Sequence, residues 1–180
     1  EVFIYTKDKK NLFAFTASFL GSRKLSIHDA KIITSKNEYT LNTFVVLDHQ
    51  NNAINDEQRT IEIADSLAMA IDNHAFHNIK TQPISKRFKQ FDRPIEINFS
   101  KTNSQKRTLL EITAINRPGL LASIGQVFND CNIHIHSAKI TTFGERAEDV
   151  FTISNEDYTQ LIPQEQENLA EIEKQIIKIL

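Results

Sequence analysis

The sequence predicts an α+β fold built from two ferredoxin-like βαββαβ modules in tandem, each an antiparallel sheet with its helices on one face. Three observations predict it. Displacing the chain by 108 positions superimposes Leu12, Ala14, Ile27, His28, Ala30, Lys31, Ile32 and Thr34 on Leu120, Ala122, Ile135, His136, Ala138, Lys139, Ile140 and Thr142. That is 8 identities in the 23 positions from 12 to 34, where average composition supplies about one or two. Each copy then reads in the same order, a β-rich run, a helical run, two β-rich runs across a turn, and a second helical run. Finally, 40% apolar and 24% charged residues in 180 match an ordinary globular chain of one domain or two small ones.

In the first copy Glu1–Thr6 is a short apolar strand. Asn11 is a helix-capping residue type, and Leu12, Phe13, Thr16, Phe19 and Leu20 form one helical face. Leu25–Thr34 and Tyr39–Asp48 make a hairpin around Ser35-Lys36-Asn37-Glu38. Asp56 opens a second helix carrying Ile61, Ala64, Leu67, Ala68 and Ile71. After a polar connector over 76–93, Pro94 precedes a last strand, Ile95–Ser100. The first module is thus 1–75 with 94–100, and the second is 107–180.

In the second copy Thr108–Ile115 is the strand, and Pro118 occupies the expected first helical position. Leu120, Leu121, Ile124, Val127 and Phe128 make the helix face. Ile133–Thr142 and Ala147–Ser154 form the hairpin around Phe143-Gly144-Glu145-Arg146, and Glu165–Ile179 is the last helix. No clear fourth strand follows it, which leaves an edge that needs a cover. Both hairpins switch parity: Leu25 and Ile27 against Ala30 and Ile32, Ile133 and Ile135 against Ala138 and Ile140. A strand of period two does not do this unless a bulge intervenes, here near His28-Asp29 and His136-Ser137, or both of its faces are buried.

Several function classes are excluded or disfavoured. The formal charge of −2 gives no global electrostatic grip on nucleic acid. No apolar run approaches the ~18 residues of a membrane-spanning helix. The one cysteine, Cys131, rules out an internal disulfide and fits a reducing compartment as a buried thiol. The opening Glu1-Val2-Phe3-Ile4-Tyr5 reads as a strand cut from a longer protein.

The sharpest motif is Asn116-Arg117-Pro118-Gly119-Leu120-Leu121. Arg-Pro fixes a turn, Gly119 permits close approach, and the helix start presents free N–H groups to a carboxylate. The same run also reads simply as a good helix start.

With Asn132-Ile133 downstream, the pattern resembles the ACT domain, a small-molecule sensor that often binds amino acids. The resemblance covers the chain twice. Asp29-Ala30-Lys31-Ile32-Ile33-Thr34 and the stretch from His136 through Gly144-Glu145-Arg146 to Glu148-Asp149-Val150-Phe151 resemble, more narrowly, the C-terminal ACT pair of the enzymes that uridylylate and deuridylylate the nitrogen regulatory protein PII. This implies a regulatory, non-catalytic segment sensing glutamine in the bacterial cytoplasm. It further implies partnership with the parent's catalytic domains and, through them, PII, and a divalent metal such as Mg2+ in the parent alone. Carried over by residue, the ligand set is Asn116, Arg117, Gly119, Leu120, Asn132, Ile133 and His134, with Asp8, Asn11, Leu12, Ser26 and Ile27 from the first copy. The first loop, Asp8-Lys9-Lys10-Asn11, lacks Pro and Gly, and Lys24 replaces the Asn. The second loop is therefore the better site. ACT ligands sit between modules, so Leu25–Asp29 and Ile133–Ser137 are expected to face loops across an interface, within one chain or in a homodimer.

Other groupings carry less. His134 with His136, and His74 with His77, are pairs without evident further metal ligands. Lys80, Lys86, Arg87, Lys89 and Arg93, with Phe88 and Phe91 between them, suit a solvated linker, an RNA contact or a docking surface. RNA-recognition domains share the βαββαβ order but need aromatics on central strands. An acylphosphatase-type enzyme needs a loop-held Arg, for which Arg117 alone is available.

Overall fold

The computed structural model describes residues 1–35, 37–73, 95–102, 106–155, 161 and 166–179. Its elements are β1 (Val2–Lys7), α1 (Leu12–Ser22), β2 (Ser26–Thr34), β3 (Tyr39–Leu47), α2 (Glu57–Asp72), β4 (Glu96–Lys101), β5 (Thr108–Ile115), α3 (Leu120–Asp130), β6 (Ile133–Phe143), β7 (Arg146–Asn155) and α4 (Gln166–Ile179). The expected connector 76–93 and the pair His74 and His77 lie outside the described residues.

The strands alternate because one face of the sheet lies under helices. Ala30, Ile32 and Phe44 point inward with Leu110, Ile112, Ala138, Ile140 and Phe151, all buried with the inner faces of α1 and α3. On the other face Phe3, Tyr5, Ile33, Tyr39 and Leu41 are exposed. Burial of so many branched and aromatic side chains, each contributing about 1.5–3 kcal/mol, is the main force holding the halves as one body. Phe13 on α1 stacks near Phe44 of its own half and meets Phe151 of the other edge-on, with centroids 6.0 Å apart.

All seven strands form a single antiparallel sheet in the order β1-β3-β2-β6-β7-β5-β4. The halves join where β2 pairs with β6, with Lys31 opposite Lys139 and Ile32 opposite Ala138. Lys31 and Lys139 are repeat equivalents, so a local twofold axis runs between them. Above this seam α1 packs on α3. Ala14 and Ala17 on α1, and Ala122 on α3, are all nearly sealed from solvent, and Gly125 lies so close that a Cβ on it would fall 2.6 Å from the Ala14 Cβ.

The register of β2 on β3 slips between Ile27 and Asp29, and that of β6 on β7 slips between Ile135 and Ser137. His28 and His136 are therefore the bulged residues, and the parity switch in each strand has its cause.

One assignment is corrected. The strand over 96–101 does not complete the first module. It pairs with β5, Ile97 beside Ile112 and Phe99 beside Leu110, and supplies the edge that the end of the second copy lacks. β5 is the next strand in sequence, and pairing with it closes a shorter loop than a return across the first half. The helix starts also differ from expectation. Asn11 and Gly119 are the N-caps of α1 and α3, both in the left-handed region (φ 70° and 80°), and neither makes a side-chain cap. Pro118 thus stands before the cap rather than at the first helical position. Asp56 does cap α2, its side chain accepting from the Arg59 N–H at 3.1 Å.

Candidate functional site

The twofold at the seam places each loop between a first strand and its helix beside the start of the other half's hairpin. Two clefts result. The first holds Asp8–Phe13 on one wall and Asn132–Ile135 on the other, in a cavity of about 310 Å³. The second holds Asn116–Ala122 facing Lys24–Ile27, with Asp48, His49 and Asn51 at its side, in about 380 Å³. These volumes suit a ligand of amino-acid size. All twelve residues of the expected ligand set line one cleft or the other, and the crossing lies within one chain.

Backbone conformation makes the walls equivalent. Asn11 and Gly119 correspond across the repeat, as do Lys24 and Asn132, whose φ values are 59° and 53°. In each pair the chain needs a left-handed residue, once to enter the helix and once to leave it for the next strand. Asn116 corresponds to Asp8. The two asparagines of the motif, Asn116 and Asn132, consequently fall in different clefts: Asn116 faces Lys24, and Asn132 faces Asp8 and Lys10.

The clefts differ in what their polar groups already do. Across the first, Lys10 Nζ donates to Asn132 Oδ1 at 2.9 Å, and the His134 Nε2 lies 3.7 Å from the Asp8 carboxylate. Lys9 Nζ donates to the Ile71 carbonyl. Burial pushes the Asp8 carboxyl up, partly opposed by His134, and pushes the His134 ring down, partly opposed by Asp8. The walls of this cleft are tied together by the protein itself. In the second cleft the Asn116 side-chain amide and the Ser26 hydroxyl make no hydrogen bond among the described residues, the Asn116 backbone N–H donating to the Glu145 carbonyl at 2.8 Å, which leaves side-chain donors and acceptors for a ligand. Asp48 at its side is committed, its Oδ1 accepting from the Gln50 and Asn52 N–H groups, and these bonds hold its carboxyl below the usual range.

Arg117 does something the motif alone does not reveal. It is buried, and its Nη2 donates to the Ile179 carbonyl at the end of α4. Its cation meets the negative end of that helix, while burial lowers its pKa. Arg117 therefore pins α4 behind the second loop. Lys10 and the 48–51 turn were missed in the sequence. The turn carries a legible signal, an Asp followed by polar residues after a strand.

His134 and His136 meet edge to face, 4.7 Å between centroids, and His136 shares a 2.9 Å hydrogen bond with Ser154 Oγ. Among the described residues no group of three His, Cys, Asp or Glu side chains is placed to hold a metal. Burial, with help from Arg107 and His134, brings the His136 pKa down to about 4. The unfolded chain therefore takes up this proton first, and stability falls as pH drops from about 6.5 toward 4. His136→Gln is expected to flatten that acid limb, which thermal melts at stepped pH would show.

The chain is thus a tandem pair of ferredoxin-like halves on one sheet, with two loop-to-strand clefts. Its sequence is similar to a segment of bifunctional uridylyltransferase/uridylyl-removing enzymes. It is 42% identical over 171 residues to the one from Vibrio cholerae serotype O1, covering 95% of this chain and 19% of that enzyme. It is 39% identical over 178 residues to the one from Aliivibrio fischeri ES114, covering 99% and 20% respectively. The chain spans about a fifth of the length of the curated relatives it matches. No family model matches it. Among the described residues no helix is long and apolar enough to cross a membrane.

Proposed function

We propose that this pair senses an amino acid, glutamine, and through it controls a cytoplasmic enzyme that adds uridylyl groups to PII and removes them. Catalysis and any divalent metal belong to the enzyme's other parts. The observation that carries the reading is the second cleft, whose uncommitted Asn116 and Ser26 stand on walls from different halves. A ligand bridging them binds the closed arrangement better than an opened one, and only such unequal affinity transmits a signal. The first cleft, whose walls Lys10–Asn132 already ties together, serves as the fixed side of the hinge.

Calorimetric titration of the full-length protein with L-glutamine tests this. Saturable binding is expected, weakened by roughly 1–3 kcal/mol in Asn116→Ala, the cost of a lost polar partner in a closed site. Absence of binding together with absence of any glutamine effect on uridylyl transfer would remove the proposal. The RNA-binding alternative is disfavoured by the second half: its first strand β5, the repeat equivalent of β1, offers Glu111 and Thr113 where β1 offers Phe3 and Tyr5, and the net charge of −2 gives no general grip on a phosphate backbone.

A further inference from the structure

The sheet is completed on one side only. In the second half, β4 lies along β5 and its Ile97 and Phe99 pack against the core. In the first half, β1 is the repeat equivalent of β5. It pairs with β3 on one side, and on the other side no described strand lies against it. What lies there is a groove of about 450 Å³ between β1 and α2, floored by Val2, Ile4, Ile63, Leu67 and Ile71. This is the counterpart of the place that Ile97 and Phe99 fill. Ala64 and Ala68, on the rim of the groove, are exposed.

We propose that the groove is filled, in the full-length protein, by the polypeptide that directly precedes Glu1, added to β1 as an antiparallel strand. The second half shows the arrangement. Its edge strand comes before its first strand and reaches it through a short connection, residues 102–107. Subtracting the 108-residue offset from 96–101 puts the corresponding strand roughly ten residues before Glu1. The relatives are about five times longer than this chain, so polypeptide is available to do it. The strand's chemistry is set by the groove: apolar side chains at alternate positions over Ile4 and Val2, as Ile97 and Phe99 are over Ile112 and Leu110. Main-chain hydrogen bonds to β1 supply the pairing, and the apolar pockets supply register. The first half then becomes the place where the sensor is joined rigidly to whatever precedes it.

Hydrogen exchange on the full-length protein tests this, read on the amides of β1 with those of β5 as the internal standard. The comparison is with the same protein carrying a Gly/Ser linker in place of the fifteen or so residues before Glu1, and with Ala64→Lys/Ala68→Lys, which puts charge on the groove's exposed rim. In the parent, the β1 amides turned away from β3 are expected to be protected. In both variants they are expected to exchange on the order of 100-fold faster, with β5 unchanged. Equal exchange in parent and linker variant overturns the proposal. So does protection that survives the linker and fades on dilution, because a second copy then fills the groove. Protection that survives the lysine pair also overturns it, since the strand then lies elsewhere.

Discussion

Asp149→Asn stabilises the chain at pH 8 and leaves it much less affected at pH 5. Asp149 is on β7 with its side chain turned under the helices, 1% exposed, between Ile140 and Ile112 of the flanking strands. Only the Thr141 amide approaches it, and neither carboxylate oxygen has a hydrogen bond of normal geometry. Burial drives its pKa up to about 7. The folded chain therefore holds this proton where the unfolded chain, with a carboxyl pKa near 4, has lost it. Stability declines as pH rises from about 4 to about 7, and the penalty is complete above that. At about 1.4 kcal/mol per unit, the difference between variant and parent is expected to grow by about 2–3 kcal/mol between pH 5 and pH 8. Denaturant midpoints at the two pH values measure it, and subtraction removes the opposite contribution of His136. The first half shows how the position is satisfied. There Asn42 stands in place of Asp149, opposite Ile32 as Asp149 is opposite Ile140. Its Oδ1 accepts from the Thr40 hydroxyl at 2.6 Å. Ala147 occupies the place of Thr40, so adding Ala147→Thr to Asp149→Asn is expected to give a further gain.

Gly125→Ala has the opposite effect and acts on the joint between the halves. The added Cβ would lie 2.6 Å from Ala14 Cβ and 2.9 Å from Ala14 Cα, the second a backbone atom that cannot swing away. Helix propensity favours alanine by about 1 kcal/mol, but overpacking of this kind costs about 1–3 kcal/mol or more. Here the relief is separation of α1 from α3. A net destabilisation of about 1–2 kcal/mol is expected, seen as a lower melting temperature, together with weaker binding of the proposed ligand, because both clefts straddle the same joint. Ala14→Gly on the same background removes the first contact but leaves the second. It is expected to recover part of the loss, a non-additivity that marks direct contact.

The two substitutions bracket what was legible in the residues. The repeat was legible because it preserves side chains that the seam and core both need, Ala30, Ile32, Ala138 and Ile140. The bulges were legible because a strand with one buried face cannot change parity without one. Asp149 is readable by the same rule: Ala147, Phe151 and Ile153 fix the inward parity of that strand, and Asp149 shares it. The strand over 96–101 was legible as a strand but not as a neighbour of β5, since alternation fixes faces and not partners. Arg117 is placed in the ligand set by the family resemblance, and its position beside the second cleft fits that. Its hydrogen bond to the end of α4 spans 62 residues of sequence, and no local pattern carries that distance. The nearness of Gly125 to Ala14 is hidden for the same reason.

The axis between Lys31 and Lys139 has an evolutionary consequence. A strand whose partner is its own repeat equivalent is self-complementary, so a lone ancestral module bearing it would assemble with itself. Such a homodimer must carry two identical binding places. Fusing the copies makes the association independent of concentration and lets selection edit each place separately, one tied across by Lys10 and Asn132, the other left without such a tie.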